Sequence, residues 1–342
     1  MKETAAAEPV VITSSVYGKA ENVFGEYCSD IQWQVSPDEE TAVARSVTSR
    51  LARIAVLGTA AYRGDLYQAL QSNARGAAAL IARFGVGYDG VDVRQCREKK
   101  IHLTITPHTL DQSVAEHAVA LMLALVRHIP SLERRMREGA FERQTGIELS
   151  GKTLGVAGFG GIGRRVAEIA SAGFGMQVIA FDAIPLSRQL EREGIAERDF
   201  LPTHGLREYG TDFSSFAPKV DVLSIHMPVL DETRGFINAG RLRLLRRGAW
   251  LVNTGRGALV DERALFDALR GGELGGAALD VFSSEPYVPA DQAHDLRTLA
   301  NVVLTPHVAS DTVEANERMA RRVVRNILAF REGRVQDLDL VT

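Results

Sequence analysis

The feature that most constrains this chain is Leu154-Gly155-Val156-Ala157 running directly into Gly158-Phe159-Gly160-Gly161-Ile162-Gly163, followed by the apolar-periodic segment Arg164–Ala170. Strand, glycine turn and helix in that order mark a parallel βαβ unit with a helix N-terminus at the turn. Gly158 permits the tight turn, Gly160 lets the backbone approach a pyrophosphate, and Gly163 lets the helix lie close on the strand. The amides of Gly161 and Ile162, at the start of the helix, have no helical acceptor and attract an anion. Ile162, Val166 and Ile169 then face the sheet.

Nineteen residues past Gly163, Asp182 closes the apolar run Gln177–Phe181. An acid at the end of that strand accepts the ribose hydroxyls of a dinucleotide and repels a 2′-phosphate. The next arginine is Arg188, six residues on. The expected cofactor is therefore NAD, with NADP less favoured.

The rest of the chain alternates short apolar runs with longer amphipathic ones, the pattern of an α/β fold with a largely parallel sheet. Strands are expected at Val10–Thr13, Ile31–Val35, Ile54–Leu57, Ala78–Ala82 and Ile101–Ile105, with a helix over Asp38–Arg50 among the segments between them. They suffice for a small flavodoxin-like unit. Ser113–Ile129 reads as one helix, apolar on nearly all sides between Ala118 and Val126, so it must be covered all round, between domains or in a subunit interface. A second α/β series runs from Thr153–Ala157 to about residue 305. Asp311–Arg331 closes the chain as a helix with Met319, Val323, Ile327 and Phe330 at helical spacing. The segment Arg198–Lys219 fits no element.

With 342 residues the chain is expected to form two domains. A composition 45% hydrophobic and 24% charged describes a soluble globular protein. The net charge of −3 provides no drive toward nucleic acid, and Arg241–Arg247 reads as the solvated end of a helix. Met1–Pro9 lacks the apolar stretch of a signal peptide, and the longest apolar run, Ala118–Val126, is too short to span a bilayer. Two cysteines, Cys28 and Cys96, without a CxxC fit a reducing compartment, so a cytoplasmic enzyme is expected. His102, His117, His128, His204 and His294 show no metal-ligand spacing, and no metal is expected.

Three later strand-like runs end in polar residues. Ala249–Asn253 leads to Thr254-Gly255-Arg256-Gly257, Ala277–Leu279 to Asp280 and then Glu285-Pro286, and Val302–Thr305 to Pro306-His307. Ligands bind beyond the carboxyl ends of strands in open α/β sheets, so Arg256, Asp280, Glu285 and His307 can converge. A 2-oxo acid reduced by NADH needs a planar cation for its carboxylate, which Arg256 supplies. Its C2 oxygen needs a proton, which His307 supplies. A carboxylate such as Glu285 beside that histidine favours the protonated ring and fixes its tautomer.

With these residues in place, the chain resembles the D-isomer-specific 2-hydroxy acid dehydrogenases. The resemblance rests on Ala82-Arg83-Phe84-Gly85-Val86-Gly87-Tyr88-Asp89-Gly90-Val91-Asp92, Ser113-Val114-Ala115-Glu116-His117, the glycine turn, His226-Met227-Pro228 with Thr233, Asn253–Gly257, Asp280–Pro286 and Thr305-Pro306-His307. Arg256 and Glu285 stand 29 residues apart, the family's usual spacing. The resemblance implies that Arg256 binds substrate, that His307 is the acid/base with Glu285 its partner, and that Asp280 holds the nicotinamide carboxamide. It further implies that Thr254 and Gly255 touch the nicotinamide ribose, that His226, Pro228 and Thr233 wall the adenosine, and that the amides of Val86 and Gly87 cradle the substrate carboxylate. It also implies a discontinuous substrate domain (1–106 with 308–342), a Rossmann-type NAD domain (107–307) inserted in it, and hinges near Thr106 and Val308. Closure of the two domains would exclude water. A homodimer through the NAD domain is implied as well.

Phe84, His108 and Gly90 depart from the usual pattern. Phe84 and Tyr88 either shape the substrate pocket or serve as core aromatics. His108 either reaches the substrate or is a plain loop residue. Two other functions stay open: an NAD-sensing corepressor-like binding protein, and a formate- or phosphite-type dehydrogenase. The chain stops soon after its last helix, which argues against a serine-regulated phosphoglycerate dehydrogenase with a C-terminal regulatory domain. Glyoxylate, hydroxypyruvate, branched 2-oxo acids and sugar-derived acids remain candidate substrates.

Overall fold

A computed structural model describes residues 8–341, so the expectation for Met1–Pro9 falls, up to Ala7, outside the described residues. The chain forms two compact units: one from the chain up to Leu110 together with the chain from Asp311 onward, the other Asp111–Ser310.

The first unit holds β1 (Pro9–Thr13), β2 (Gln32–Ser36), β3 (Ile54–Leu57), β4 (Ala79–Arg83) and β5 (Ile101–Thr104). They pair in the order β2-β1-β3-β4-β5, every pair parallel. This is the flavodoxin-like order. β3 and β4 are buried along their whole length, which is why they read as unbroken apolar runs. β2 lies at the edge and keeps polar Gln32 and Gln34. The closing helix is Val313–Arg331, two residues shorter than expected, because Thr312 caps it by accepting from the Ala315 amide at 3.1 Å. Met319, Val323, Ile327 and Phe330 are buried.

The second unit holds β6 (Thr153–Ala157), β7 (Gln177–Phe181), β8 (Leu206–Gly210), β9 (Val222–Ile225), β10 (Ala249–Asn253), β11 (Leu274–Leu279) and β12 (Val302–Leu304). Their order is β12-β11-β10-β9-β6-β7-β8, again parallel throughout. The first six strands reproduce the doubly wound order, and β12 extends it. The topological switch point therefore lies between β6 and β9. Successive residues feed opposite cores: Val156, Val178 and Ala278 pack on one face, and Ala157, Ile179 and Leu279 on the other. The α/β class, with a Rossmann-type unit beside a flavodoxin-like one, is as expected.

Three expectations change. The long apolar helix is Asp111–Val126, and a second helix, Ile129–Arg137, follows after His128 in the left-handed region at φ 56°. Pro130 accounts for the break: in a continuous helix its ring would clash with the Val126 carbonyl. That carbonyl accepts from Ile147 instead. The first helix packs within its own unit, on the helix Gly161–Phe174 and on β10, β11 and β12, but it is not covered all round: Ala120 is exposed and Leu123 and Ala124 are half-buried. Finally, Arg198–Lys219 is structured: it contains most of the helix Glu197–Thr203, all of β8 and the helix Phe213–Phe216. The basic stretch closes the short helix Ala239–Leu242, as expected, with Arg243, Arg246 and Arg247 exposed and Arg241 3.7 Å over the Phe236 ring. No helix among the described residues is long and apolar enough to cross a membrane.

Candidate active site

The glycine turn sits at the C-terminal end of β6, beside the switch point, and opens the helix Gly161–Phe174. Its packing explains the glycines. A Cβ on Gly163 would lie 2.1 Å from the Gly158 carbonyl oxygen, and one on Gly158 would lie 2.6 Å from the His226 carbonyl carbon. Nothing lies within 4 Å of a Cβ on Gly160, so that side of the turn is open. Gly163→Ala therefore has to push the helix away from β6. We expect it to lower thermal stability by about 1–3 kcal/mol and to weaken NADH binding, measured by unfolding and by nucleotide fluorescence titration.

Asp182 ends β7 and is pinned there, accepting from the Phe159 amide at 2.6 Å and the Ile184 amide at 2.8 Å. Arg164 and Arg188, the arginines on this side, already have acid partners in Glu193 and Glu191. At the ends of the adjacent strands β9 and β10, His226 Nδ1 and Thr254 Oγ1 are buried without hydrogen-bond partners. Burial pulls the His226 ring down to about 4, so it is neutral at pH 7, with Nε2 on the Ser224 hydroxyl at 2.8 Å. Thr233 shapes the turn after Pro228 by donating to the Pro228 carbonyl at 2.8 Å. Orphaned polar atoms, an open glycine face and a fixed acid fit a bound dinucleotide: Gly158–Gly163 for its pyrophosphate, Asp182 for its ribose, and Thr254 with Gly255 near its reactive end.

The chemistry-bearing residues gather at the ends of β10, β11 and β12. His307 Nδ1 lies 2.6 Å from Glu285 Oε2, and Glu285 Oε1 accepts from the Phe282 amide at 3.0 Å. Burial pushes the Glu285 carboxyl up, but hydrogen bonds from His307 and Phe282 and the charges of His307 and Arg256 outweigh it, so it titrates below the ordinary range. His307 itself takes a left-handed backbone at φ 54°, a cost of about 1 kcal/mol or more for a residue with a Cβ. Its amide is held by the Asp280 carbonyl at 2.8 Å. Arg256 Nη1 donates to the Gly255 carbonyl at 2.7 Å. Asn253, almost fully buried, fixes that loop by accepting from the Gly255 amide and donating to the Arg256 carbonyl.

Asp280, expected to hold the nicotinamide carboxamide, is itself held on several sides. Its side chain is 0% exposed and accepts from Thr305 Oγ1 at 2.6 Å, the Val308 amide at 3.0 Å and the Ala309 amide at 2.9 Å, with His117 Nε2 3.4 Å away. It clamps the Thr305 hydroxyl on one side of His307 and the Val308 and Ala309 amides on the other. Burial raises its carboxyl, but hydrogen bonds from His117, Thr305, Val308 and Ala309 carry it below the ordinary 3.8. A carboxyl lowered by folding stabilises the native state above its unfolded value and loses that contribution as pH falls through the native one. Asp280→Asn is therefore expected to melt below the wild type at pH 7, with the gap narrowing below about pH 4 in thermal scans.

In the first unit, Phe84 is 6% exposed and its ring lies 6.4 Å from Phe24, which fits the core-aromatic alternative. Tyr88 stays exposed. Among the described residues the amides of Val86 and Gly87 make no hydrogen bond. The loop that carries them is braced by paired backbone and side-chain bonds between Gly85 and Thr106, and by Arg83 Nη1 on the Leu57 and Phe84 carbonyls. Sequence reasoning assigned no role to Asn253, Arg83, Thr305 or His117. The signal was present, since all four lie inside the recognised motifs.

A family model described as the D-isomer specific 2-hydroxyacid dehydrogenase NAD binding domain matches residues 119–309. A glyoxylate reductase of Aeropyrum pernix is 42% identical over 265 residues, 75% of this chain and 74% of that protein. An NADPH-dependent glyoxylate/hydroxypyruvate reductase of Sinorhizobium meliloti, solved with NADP and malonate, superposes with a TM-score of 0.77 at 30% identity, covering 95% of this chain and 94% of the other. A D-lactate dehydrogenase of Aquifex aeolicus, solved with NAD and lactic acid, superposes with a TM-score of 0.78 at 28% identity, covering 96% and 97%.

Proposed function

The chain belongs to the D-isomer specific 2-hydroxyacid dehydrogenase family, and on that premise we propose that it reduces a small 2-oxo acid to the D-2-hydroxy acid with NADH. The observation that carries the reading is the 2.6 Å His307–Glu285 pair beside Arg256, in the unit that also holds the glycine turn. Bound NADH supplies hydride to C2. Arg256 holds the substrate carboxylate by two parallel hydrogen bonds and fixes which face of C2 is presented. His307 Nε2 gives its proton to the carbonyl oxygen, while Glu285 on Nδ1 stabilises the protonated ring and sets its orientation.

NAD is proposed over NADP because Asp182, fixed at the end of β7, would meet the ribose, and Arg164 and Arg188 are paired with acids. A hydrogen-bonded acid/base pair supports catalysis over nucleotide sensing alone. A cytoplasmic setting suits the free thiols of Cys28 and Cys96. A homodimer through the NAD-binding unit is supported by the stretch after the long helix: Ile129–Arg137 buries none of its residues, and Phe141 beyond it is 81% exposed. We expect a solution mass of about twice that of the chain by light scattering, and Phe141→Glu to shift it toward the monomer. The function is tested by initial rates at 340 nm with glyoxylate, hydroxypyruvate, pyruvate and 2-oxoisocaproate, each with NADH and with NADPH. Saturable oxidation of NADH, and slower oxidation of NADPH, is expected. Tight NADH binding with no turnover across the panel would point to a nucleotide-binding protein.

A further inference from the structure

The loop that carries Glu285 is held by groups outside the catalytic set. Gly257, next to Arg256, abuts it so closely that a Cβ there would lie 1.9 Å from the Phe282 carbonyl carbon. One residue on, the Ser283 amide donates to Glu262 Oε1 at 2.6 Å. Glu262 is 8% exposed and starts the helix Glu262–Arg270. It is not needed as that helix's cap, because Asp261 already accepts the amides of Arg263 and Ala264. A buried carboxylate is costly unless hydrogen-bonded, so this side chain is expected to be retained for what it holds.

We propose that Glu262 is a positioning residue that sets the Glu285–His307 pair by fixing the Phe282–Ser283 peptide; this rests on reading that pair as the acid/base. The relay is short. Glu262 Oε1 accepts from the Ser283 amide, Glu285 Oε1 accepts from the neighbouring Phe282 amide, and Glu285 Oε2 is left facing His307 Nδ1. With Gly257 as the second anchor, the loop bearing Arg256 and the loop bearing Glu285 move as one piece. Glu262 touches no reacting atom, and its effect passes wholly through the orientation of Glu285.

The test compares Glu262→Ala with Glu262→Gln, whose amide oxygen still accepts from Ser283. Readouts are the pH–rate profile of glyoxylate reduction and the NMR titration of the His307 Hε1 resonance, assigned with His307→Asn. Glu262→Ala is expected to lose about tenfold in kcat with little change in KM for NADH. Both its pH–rate profile and its His307 titration should differ from those of the wild type, because a misplaced Glu285 no longer holds the His307 ring. Glu262→Gln should recover most of the wild-type profile. If Glu262→Ala does not fold, Glu262→Met fills the space without an acceptor. A Glu262→Ala or Glu262→Met enzyme with wild-type profile and titration would overturn the proposal, as would a Glu262→Gln enzyme equally impaired. If the wild type reduces no 2-oxo acid, the proposed function fails, and the His307 titration alone still decides whether Glu262 positions the pair.

Discussion

His307→Ala should lower kcat for 2-oxo acid reduction by about 100- to 10,000-fold, the usual worth of a positioned general acid. NADH affinity should change less than about twofold, because the glycine turn and Asp182 lie on other strands and keep their contacts. His307→Gln should be as poor, since its amide cannot supply a proton. The backbone effect has the opposite sign. His307 sits at φ 54°, so His307→Gly would relieve strain and raise stability while abolishing turnover. Steady-state kinetics, NADH fluorescence titration and thermal unfolding on the same variants separate these contributions. A variant that fails to bind NADH would mean that His307 had been given the wrong role.

Arg256→Ala carries the second large effect. Two charge-assisted hydrogen bonds to a carboxylate are worth about 3–6 kcal/mol together, so kcat/KM should fall by about 100- to 10,000-fold. Arg256→Lys keeps the charge and loses the planar fork, and should fall between the two. Arg256 also lowers the Glu285 carboxyl, so its loss should weaken the His307 pair and reduce kcat as well as raise KM. Added guanidinium should restore part of the Arg256→Ala activity at concentrations that leave the wild type unaffected. A variant with only a modest rise in KM would place the substrate carboxylate elsewhere.

What could be read in the chain depended on how local the chemistry is. Gly158, Gly160, Gly163 and Asp182 are legible because a turn, a close approach and a strand end each demand one residue type at one spacing. Buried strands such as Ile54–Leu57 are legible because both faces are covered. β8 was invisible because it is an edge strand of Leu206-Arg207-Glu208-Tyr209-Gly210 that buries only Leu206 along its length. Phe200, fully buried against Phe159, anchors the insertion before it, yet nothing in its neighbours' spacing marks it as core. Phe84 could be read either way from its motif, because its neighbour in the core, Phe24, is distant in the chain. Glu262 escaped for a related reason: its partner is the Ser283 amide, brought near by the fold, and a backbone amide leaves no signature in the sequence.

The most direct test of the central claim follows the hydride. The enzyme is given NADH carrying deuterium at both C4 positions with glyoxylate and, separately, hydroxypyruvate, and the products are analysed by mass spectrometry and chiral chromatography. The account predicts one deuterium at C2 of glycolate and of glycerate per nucleotide oxidised, none of it exchanged with water, and glycerate of the D form only. Nucleotide oxidation without deuterium at C2, or glycerate of the L form, would contradict it.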